Sequence, residues 1–325
     1  MSKRRFLSLA FGAACGAAVS LPVLAQGRYP DHPVKVIVAL PAGGSADMVA
    51  RLVAQKLADD LGQPFVVDNK PGGSGQIGMP QVGRAAPDGY TLTVSPASFL
   101  TTNKSIFKSL AYDPEADFTP VTKLVNQAMV LVVKDKSRLG TPGDVVSAAR
   151  AAPGKLTYAS SGDGSPQHLA ALMFESRAKV KMLHVPYKGG APAITDLLAG
   201  TVDMVFAPLP EALQHIKSGK LHPVGVLSEK RSAIAPAIPT MRESGIENLV
   251  LSAWVGLLAP ARTPQAVIDR LNGSVKALLT GDAKGKLIEA GLEPAIDDSK
   301  PLGQTISEEI RIHAELVKAA GLVPQ

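Results

Sequence analysis

Apolar runs and stretches of helical spacing alternate along most of this chain. Residues 34–40 are almost continuously apolar, which is typical of a strand buried in a parallel sheet. In the stretch that follows, apolar side chains recur every three or four positions up to Leu61, as on one face of a helix. The same patterns predict further strands at residues 65–68, 90–94, 156–159, 182–185, 202–206 and 221–227. They predict helices from about Gln76, after Ser165, from about Ala191 and Glu211, and over residues 263–279 and 301–319. This alternation predicts an α/β fold with mainly parallel sheets.

The amino terminus has the pattern of an export signal. Three basic residues, Lys3-Arg4-Arg5, precede an apolar stretch at residues 6–19 that is too short to span a bilayer. Small residues at Val23-Leu24-Ala25 form a cleavage site, so residues 1–25 are predicted to be a signal peptide and Gln26 the first mature residue. The chain is therefore expected to be exported. The general secretory route is favoured over a twin-arginine signal at Arg4-Arg5 or a lipidated Cys15.

Composition narrows the classes of function. The 325 residues are 46% apolar and 19% charged, which is enough for two domains with buried cores. Only 4% are aromatic, and no dense Lys/Arg run follows Arg5 in a chain of net charge +6, so no nucleic-acid partner is expected. The single cysteine, Cys15, lies in the signal. The mature chain should therefore lack disulfides, thiolate nucleophiles and cysteine metal sites.

Two glycine-containing loops follow strands and open helices. The first glycine loop is residues 43–47 (GGSAD), and the second glycine loop is residues 160–168 (SSGDGSPQH). Glycine lets a backbone approach a ligand closely, Ser45 and Ser165 can cap the helices, and a helix N-terminus attracts an anion. The alternative is ordinary capping of two helices, which any α/β protein requires.

Other patterns do not assemble into a reactive centre. Residues 73–78 spell G-x-G-x-x-G after a strand, but the next strand ends in Ser95-Pro96 without the acid of a dinucleotide site, so no cofactor is expected. The six histidines lack metal-ligand spacing, and no metal site is predicted. A serine hydrolase using Ser165, His168 and Asp203 is a less favoured alternative.

Six short motifs in one order carry a family resemblance over nearly the whole mature chain. They are PAGGSAD from Pro41, NKPGG from Asn69, APDGYTL from Ala86, GSPQHL from Gly164, HVPYKG from His184 and SGKL from Ser218. The chain resembles the Bug-type periplasmic substrate-binding receptors of tripartite tricarboxylate transporters. The resemblance implies a two-lobed periplasmic-binding-protein fold of type II, in which each lobe is a mainly parallel sheet flanked by helices and the ligand cleft lies between lobes. Residues 26–125 and 229–325 would form lobe 1 and residues 126–228 lobe 2, with chain crossings near residues 124–127 and 226–229.

The resemblance also implies a ligand site made of main-chain amides and small hydroxyls around a carboxylate. The first lobe would contribute Ala42, Gly43, Gly44, Ser45, Asp47, Ser95 and Ala97. The second lobe would contribute Ser160, Gly164, Ser165, Gln167, Asp203, Ala207 and Pro208. Relatives often have Phe where this chain has Leu40, and many have Asp-Asn in place of Ala207-Pro208. The second departure favours a di- or tricarboxylate or an aromatic acid over an amino acid, because a ligand ammonium group would lack its carboxylate partner.

These observations predict a solute receptor and not an enzyme. It would bind a small carboxylate between its lobes as a monomer and deliver it to the membrane subunits of a tripartite tricarboxylate transporter. A transporter-independent sensor that docks on a signalling protein is an alternative, and an exported serine hydrolase is a weaker one.

Overall fold

A computed structural model describes residues 29–319 apart from 135, 282 and 298, together with residue 324. The predicted signal peptide and Gln26 lie outside the described residues. Among the helices of the described part, none is both long and apolar enough to cross a bilayer.

Strands and helices alternate as the pattern predicts, and the structure contains several strands and short helices that were not predicted. The strands are β1 Val34–Val38, β2 Phe65–Asn69, β3 Thr91–Pro96, β4 Phe118–Val133, β5 Thr157–Ser160, β6 Leu183–Pro186, β7 Met204–Pro208, β8 His222–Val226, β9 Ser252–Pro260 and β10 Glu293–Asp297. The helices are α1 Ser45–Leu61, α2 Met79–Gly83, α3 Ala97–Leu100, α4 Asn103–Ile106, α5 Lys136–Leu139, α6 Pro142–Ala151, α7 Pro166–Ala178, α8 Gly190–Ala199, α9 Leu209–Lys217, α10 Gln265–Thr280, α11 Ala283–Glu289 and α12 Ser299–Ala319. Where one helix was expected from Gln76, the chain forms a 3₁₀ turn at Gly73–Gly75 and then α2.

Two mixed sheets share the long strand β4. In the first sheet, β2, β1 and β3 are parallel, β9 runs antiparallel between β3 and β4, and β10 pairs antiparallel with β4. In the second sheet, β6, β5 and β7 are parallel, and β7 and β8 both pair antiparallel with β4. Residues 118–128 of β4 belong to the first sheet and residues 129–133 to the second. The prediction of parallel strands is confirmed for these two sets of three. The sequence did not predict β4, β9 and β10.

Each sheet is covered by apolar side chains on both faces. In β1, Val34, Val36 and Val38 belong to a core cluster with α1 and α10, whereas Ile37 belongs to a separate cluster on the opposite face. Because successive side chains of a strand point to opposite faces, this double burial requires the continuous apolar run. The second sheet likewise has one core cluster on each face.

The lobe boundaries stay a prediction, but packing adds detail to them. The backbone N–H of Leu227 donates to Met129 O at 2.8 Å, and that of Leu251 donates to Leu227 O at 2.9 Å, so the chain returns towards β9 beside the middle of β4. Four buried side chains that we assigned to lobe 1 pack in a cluster of the second sheet: Met241, Ile246, Leu249 and Leu251. Helix α12 contributes Leu302 to a first-sheet cluster and Val317 to a second-sheet cluster.

Candidate functional site

The carboxyl ends of the parallel strands of both sheets meet near the middle of β4. In the first sheet, the pairing of β1 with β3 places the first glycine loop beside residues 95–97. In the second sheet, the pairing of β5 with β7 places Ser160 at the level of Phe206, just before Ala207 and Pro208. Pro208 in turn pairs with Met129 of β4. Open α/β sheets bind ligands at the carboxyl ends of their strands, so this junction is the candidate site.

Gln127 connects the first glycine loop to this junction. Its buried side chain lies in β4, two residues before Met129, and its Nε2 donates to Ser45 Oγ at 2.9 Å. The sequence marked this stretch only as a chain crossing and missed Gln127 as a site residue, because its partner lies 82 positions away.

The first glycine loop leaves the start of α1 without a capping side chain. The N-cap residue is Gly44, and Ser45 is the first helical residue, so the prediction that Ser45 caps α1 is wrong. Its hydroxyl accepts the Gln127 hydrogen bond instead. Gly43 has a φ of +87°, a conformation that glycine adopts without strain. Ala42, Gly43 and Gly44 are exposed, so the polar backbone of the loop is open to a ligand.

Asp47 holds the first glycine loop and is not itself open to a ligand. Its Oδ2 accepts hydrogen bonds from the Gly43 N–H at 2.9 Å and Arg51 Nε at 3.0 Å, and its Oδ1 accepts from Asn69 Nδ2 at 3.0 Å. The carboxylate is nearly inaccessible to solvent. Burial acts to raise the pKa of Asp47, but these hydrogen bonds outweigh it and keep the pKa below its ordinary value. Asp47 is therefore a positioning residue, and the sequence missed its partners Arg51 and Asn69.

Ser95 and Ala97 lie at the carboxyl end of β3, next to the end of β1 that leads into the first glycine loop. Both are buried, and Ser95 Oγ donates to Pro96 O at 3.2 Å. Pro96 is the N-cap of the short helix α3. The side chains of these two residues are therefore not presented at the surface.

The second glycine loop contains the cap that the sequence predicts. Ser165 is the N-cap of α7, its Oγ accepts from the His168 N–H at 3.3 Å, and Pro166 lies in the first turn. Gly164 has a φ of +69°, and a Cβ there would collide with Ile106 of α4. The second glycine loop therefore contacts a helix that follows the first sheet's β3.

Two further predicted residues hold the second glycine loop in shape. Gln167 is buried, accepts from the Ser161 N–H through Oε1 and donates through Nε2 to Glu211 Oε2 at 3.3 Å. Ser160 is fully buried, with its Oγ 2.6 Å from His184 Nε2. Neither Ser160 nor Gln167 is open to a ligand in this arrangement.

Tertiary packing gathers three potential metal ligands that the sequence spacing did not predict. Asp163 Oδ1 lies 3.5 Å from His184 Nδ1 and 4.0 Å from His168 Nδ1. However, the two imidazole rings stack with centroids 3.9 Å apart and an interplanar angle of 15°. A metal must lie close to the plane of each imidazole it binds, and two nearly parallel planes meet only far from these nitrogens. His168 Nδ1 also accepts a hydrogen bond from the Gly164 N–H at 3.1 Å. This arrangement does not suit a metal ion.

The stacked histidines are neutral near pH 7. Burial, together with the neighbouring His184, lowers the pKa of His168 to about 4. Burial also lowers the pKa of His184, although Asp163 acts in the opposite direction. The stack therefore adds no positive charge that would attract an anion at neutral pH.

Two predicted residues lie away from the accessible surface of the junction. Asp203 precedes β7 at the end opposite to Pro208, where its carboxylate accepts from the N–H and Oγ of Thr157 and pairs with Arg138. It belongs to a turn, and we leave it out of the site. Ala207 is fully buried in a core cluster, whereas Pro208 is half-exposed as the N-cap of α9. The alternative of a serine hydrolase needed Asp203 beside Ser165 and His168. Asp203 lies outside the site and Ser165 Oγ caps α7, so the structure does not support that alternative.

Comparisons with known proteins give the family. Residues 49–322 match the model of the tripartite tricarboxylate transporter family receptor. Protein BugT of Bordetella pertussis is 36% identical over 307 residues, which cover 94% of this chain and 94% of BugT. The structure of R. palustris Rpa4515 with adipate has a TM-score of 0.84 and 33% identity, covering 91% of this chain and 100% of that one. The structure of MatC (Rpa3494) from Rhodopseudomonas palustris with bound malate has a TM-score of 0.78 and 30% identity, covering 89% of this chain and 100% of that one.

These matches confirm the periplasmic-binding-protein-like α/β fold and the resemblance to Bug proteins. The matched family is one of solute-binding receptors and not of enzymes. The chain belongs to the tripartite tricarboxylate transporter receptor family.

Proposed function

We propose that this chain is a periplasmic receptor that binds a small carboxylate between the first and second glycine loops. The observation that carries the proposal is the uncapped start of α1, which opens at the junction of the two sheets and is held there by the Gln127–Ser45 hydrogen bond. Adipate and malate in the structures of two relatives support a carboxylate as the ligand class.

The chemistry of the junction favours an anion held by backbone donors. Unpaired N–H groups and the positive end of a helix dipole attract a carboxylate, each charge–dipole contact being worth roughly 0.3–1 kcal/mol at an exposed site. Ser165, a partly exposed residue at the N-cap of α7, would add a small hydroxyl group from the second sheet. Arg51, which contacts the first glycine loop at Asp47, also donates a hydrogen bond to Asn69. Selectivity would therefore come from the shape of the backbone and not from a salt bridge.

The proposal extends to the cellular role. Residues 1–25 would direct export, and lobe 1 (residues 26–125 and 229–325) and lobe 2 (residues 126–228) would close on the ligand. The monomeric receptor would then pass the carboxylate to the membrane subunits of a tripartite tricarboxylate transporter. A sensor that signals without transport uses the same ligand site, so transport must be measured directly.

Thermal unfolding of purified residues 26–325 with mono-, di- and tricarboxylates tests the ligand class. A receptor should be stabilised by at least one carboxylate, and NMR should show that carboxylate chemically unchanged. Gly44→Val places a branched side chain at an exposed backbone position of φ −81°, so it should weaken binding without lowering the unfolding temperature. Folded protein that no carboxylate stabilises would overturn the proposal.

Reconstituted vesicles test the transporter. Vesicles that contain the membrane subunits should accumulate the carboxylate only when the receptor is added. Tight binding without accumulation would favour the sensor.

A further inference from the structure

The two sides of the candidate site differ in charge. On the side of the first sheet, α1 begins without a capping side chain, and three donors hold the carboxylate of Asp47 away from the surface. Residues 97–101, which follow β3, contain no charged side chain, and Lys70, which follows β2, pairs with Asp68 at 3.2 Å. The described residues of this side therefore offer the positive end of a helix and no unpaired carboxylate.

The side of the second sheet carries carboxylates at the ends of its parallel strands. Three segments end or follow β5, β6 and β7: residues 160–168, 186–193 and 208–212. They contain two acidic residues, Asp163 and Glu211, and one Lys or Arg, Lys188. The side chain of Asp163 is 53% exposed, and the stacked histidines beside it are neutral near pH 7. This side of the site is therefore negative on balance.

Glu211 has a carboxylate oxygen that a ligand can use. The residue is exposed and lies in the first turn of α9, three positions after Pro208, which pairs with Met129 at the junction. Its Oε2 accepts a hydrogen bond from Gln167 Nε2 at 3.3 Å. Its Oε1 forms no hydrogen bond with the described part of the chain. This oxygen can therefore accept a hydrogen bond from a ligand.

Two neighbours fix the position of this carboxylate. Gln167 Oε1 accepts from the Ser161 N–H, so the amide that binds Glu211 also holds the second glycine loop. A Cβ at Gly190, the first residue of α8, would collide with Glu211 Oε2. The carboxylate therefore lies between the first turns of α7, α8 and α9. The positive ends of these helices and the Gln167 amide favour its ionised form.

Ionised Glu211 has no cation beside it. Among the described residues, no Lys, Arg or His forms an ion pair with its carboxylate, and this includes Lys188, which precedes α8. An ammonium group of a ligand would supply the missing opposite charge, whereas a second ligand carboxylate would be repelled. The charge of this side therefore discriminates between two kinds of ligand that are alike at their other end.

We propose that Glu211 is a specificity-determining residue that binds a cationic amine, and that the preferred ligand has a carboxylate at one end and an amine at the other. This inference rests on the proposed function, in which the ligand carboxylate lies at the uncapped start of α1. Backbone donors select the carboxylate end, and Glu211 accepts N–H hydrogen bonds from the ammonium end. The expectation that the ligand has no amine, drawn from Ala207 and Pro208, is thereby reversed, because Glu211 supplies a carboxylate three positions after Pro208.

Calorimetry with three acids of equal chain length tests the proposal. Adipate, 5-aminopentanoate and hexanoate share a six-atom chain and a carboxylate, and their other ends are a carboxylate, an ammonium group and a methyl group. Matched sets with four-atom and five-atom chains vary the span. Because burial raises the pKa of Glu211 to about 7, the titrations are made at pH 8, where its carboxyl group is mostly ionised. At the best chain length, the amino acid should bind at least about tenfold more tightly than the methyl-ended acid, and the dicarboxylate more weakly than both.

Glu211→Gln keeps the shape of the side chain and removes its charge. It should weaken binding of the amino acid about tenfold and tighten binding of the dicarboxylate, because both the attraction and the repulsion are lost. A purely structural role of Glu211 would change both affinities in the same direction. Glu308→Gln is the matched control, since it removes one negative charge from an exposed residue of α12. It should leave the order of the three ligands unchanged.

The outcomes separate this inference from the proposed function. If the amino acids bind no more tightly than the methyl-ended acids or the dicarboxylates at any of the three chain lengths, the role of Glu211 is overturned. A preference for the amine that survives in Glu211→Gln overturns it as well. In both cases the receptor proposal stands as long as a carboxylate binds. If folded protein binds no carboxylate, amino acids included, the proposed function fails and this inference fails with it.

Discussion

Asp47→Asn should destabilise the protein at neutral pH, because an amide cannot accept all three hydrogen bonds that the carboxylate accepts. The donors are the Gly43 N–H, Arg51 Nε and Asn69 Nδ2, at 2.9–3.0 Å. Whichever way the new amide is turned, its NH₂ group faces at least one of these donors. Asn69 cannot turn to relieve the conflict without losing its bonds to Leu40 O and Arg51.

The magnitude follows from these contacts. A hydrogen bond to a charged acceptor contributes roughly 1.5–3 kcal/mol, and a buried donor left without an acceptor costs roughly 1–3 kcal/mol. Arg51 is more than half exposed, so its share is small. We therefore expect Asp47→Asn to lower the free energy of unfolding by about 2–3 kcal/mol at pH 7. Asp60→Asn, on the same helix, is the control. It removes a surface ion pair with Lys56 and should cost less than about 1 kcal/mol.

The pH dependence gives a second signature. The pKa of Asp47 is depressed in the folded protein, so its contribution to stability is fully present above the unfolded-state pKa, near 3.9. That contribution is lost as the pH falls through the folded-state pKa. The difference between wild type and Asp47→Asn should therefore narrow below about pH 4. Urea unfolding at pH 7, 5, 4 and 3.5 measures it. Equal stabilities at pH 7, or a difference that stays constant down to pH 3.5, would refute this account of the loop.

Four further substitutions, the first two of them a matched pair, test single residues of the two glycine loops and β4. Gly43→Ala should destabilise the protein by about 1 kcal/mol because of its φ of +87°, whereas Gly44→Ala, at φ −81°, should not, and urea unfolding compares the two. Ser165→Ala removes the α7 cap and should cost about 1 kcal/mol in unfolding free energy. It should also weaken carboxylate binding severalfold by calorimetry, and an unchanged affinity would leave Ser165 with a capping role alone. Gln127→Leu leaves the Ser45 hydroxyl without its donor, so carboxylate affinity should fall more than stability does, and the reverse order would place Gln127 outside the site.

Local patterns in the sequence determined the parallel parts of the fold and the two glycine loops. The strand β1 can be predicted from its apolar run because both of its faces are buried. The cap at Ser165 can be predicted because its donor and acceptor lie three residues apart. In each case the physical cause acts within a few residues, so one short stretch of sequence contains it.

Only the tertiary structure decided how the two sheets join. Strand β4 carries Pro120 and register shifts near residues 120–125, which break the alternation that identifies an isolated strand. Its partner β9 lies more than a hundred positions away, so the pairing that stabilises both strands leaves no local pattern.

The chemistry of the site was decided in the same way. The sequence predicted Asp47 as a ligand-binding residue. In the structure its carboxylate accepts hydrogen bonds from Arg51 and from Asn69, which lies 22 positions away. Asp203 lies at the wrong end of β7, which becomes visible only once Thr157 and Arg138 are brought to it. Glu211 reads from the sequence as an ordinary first-turn acid of a helix. Packing brings Gln167, 44 positions away, to its carboxylate, and no local pattern in the sequence encodes that contact.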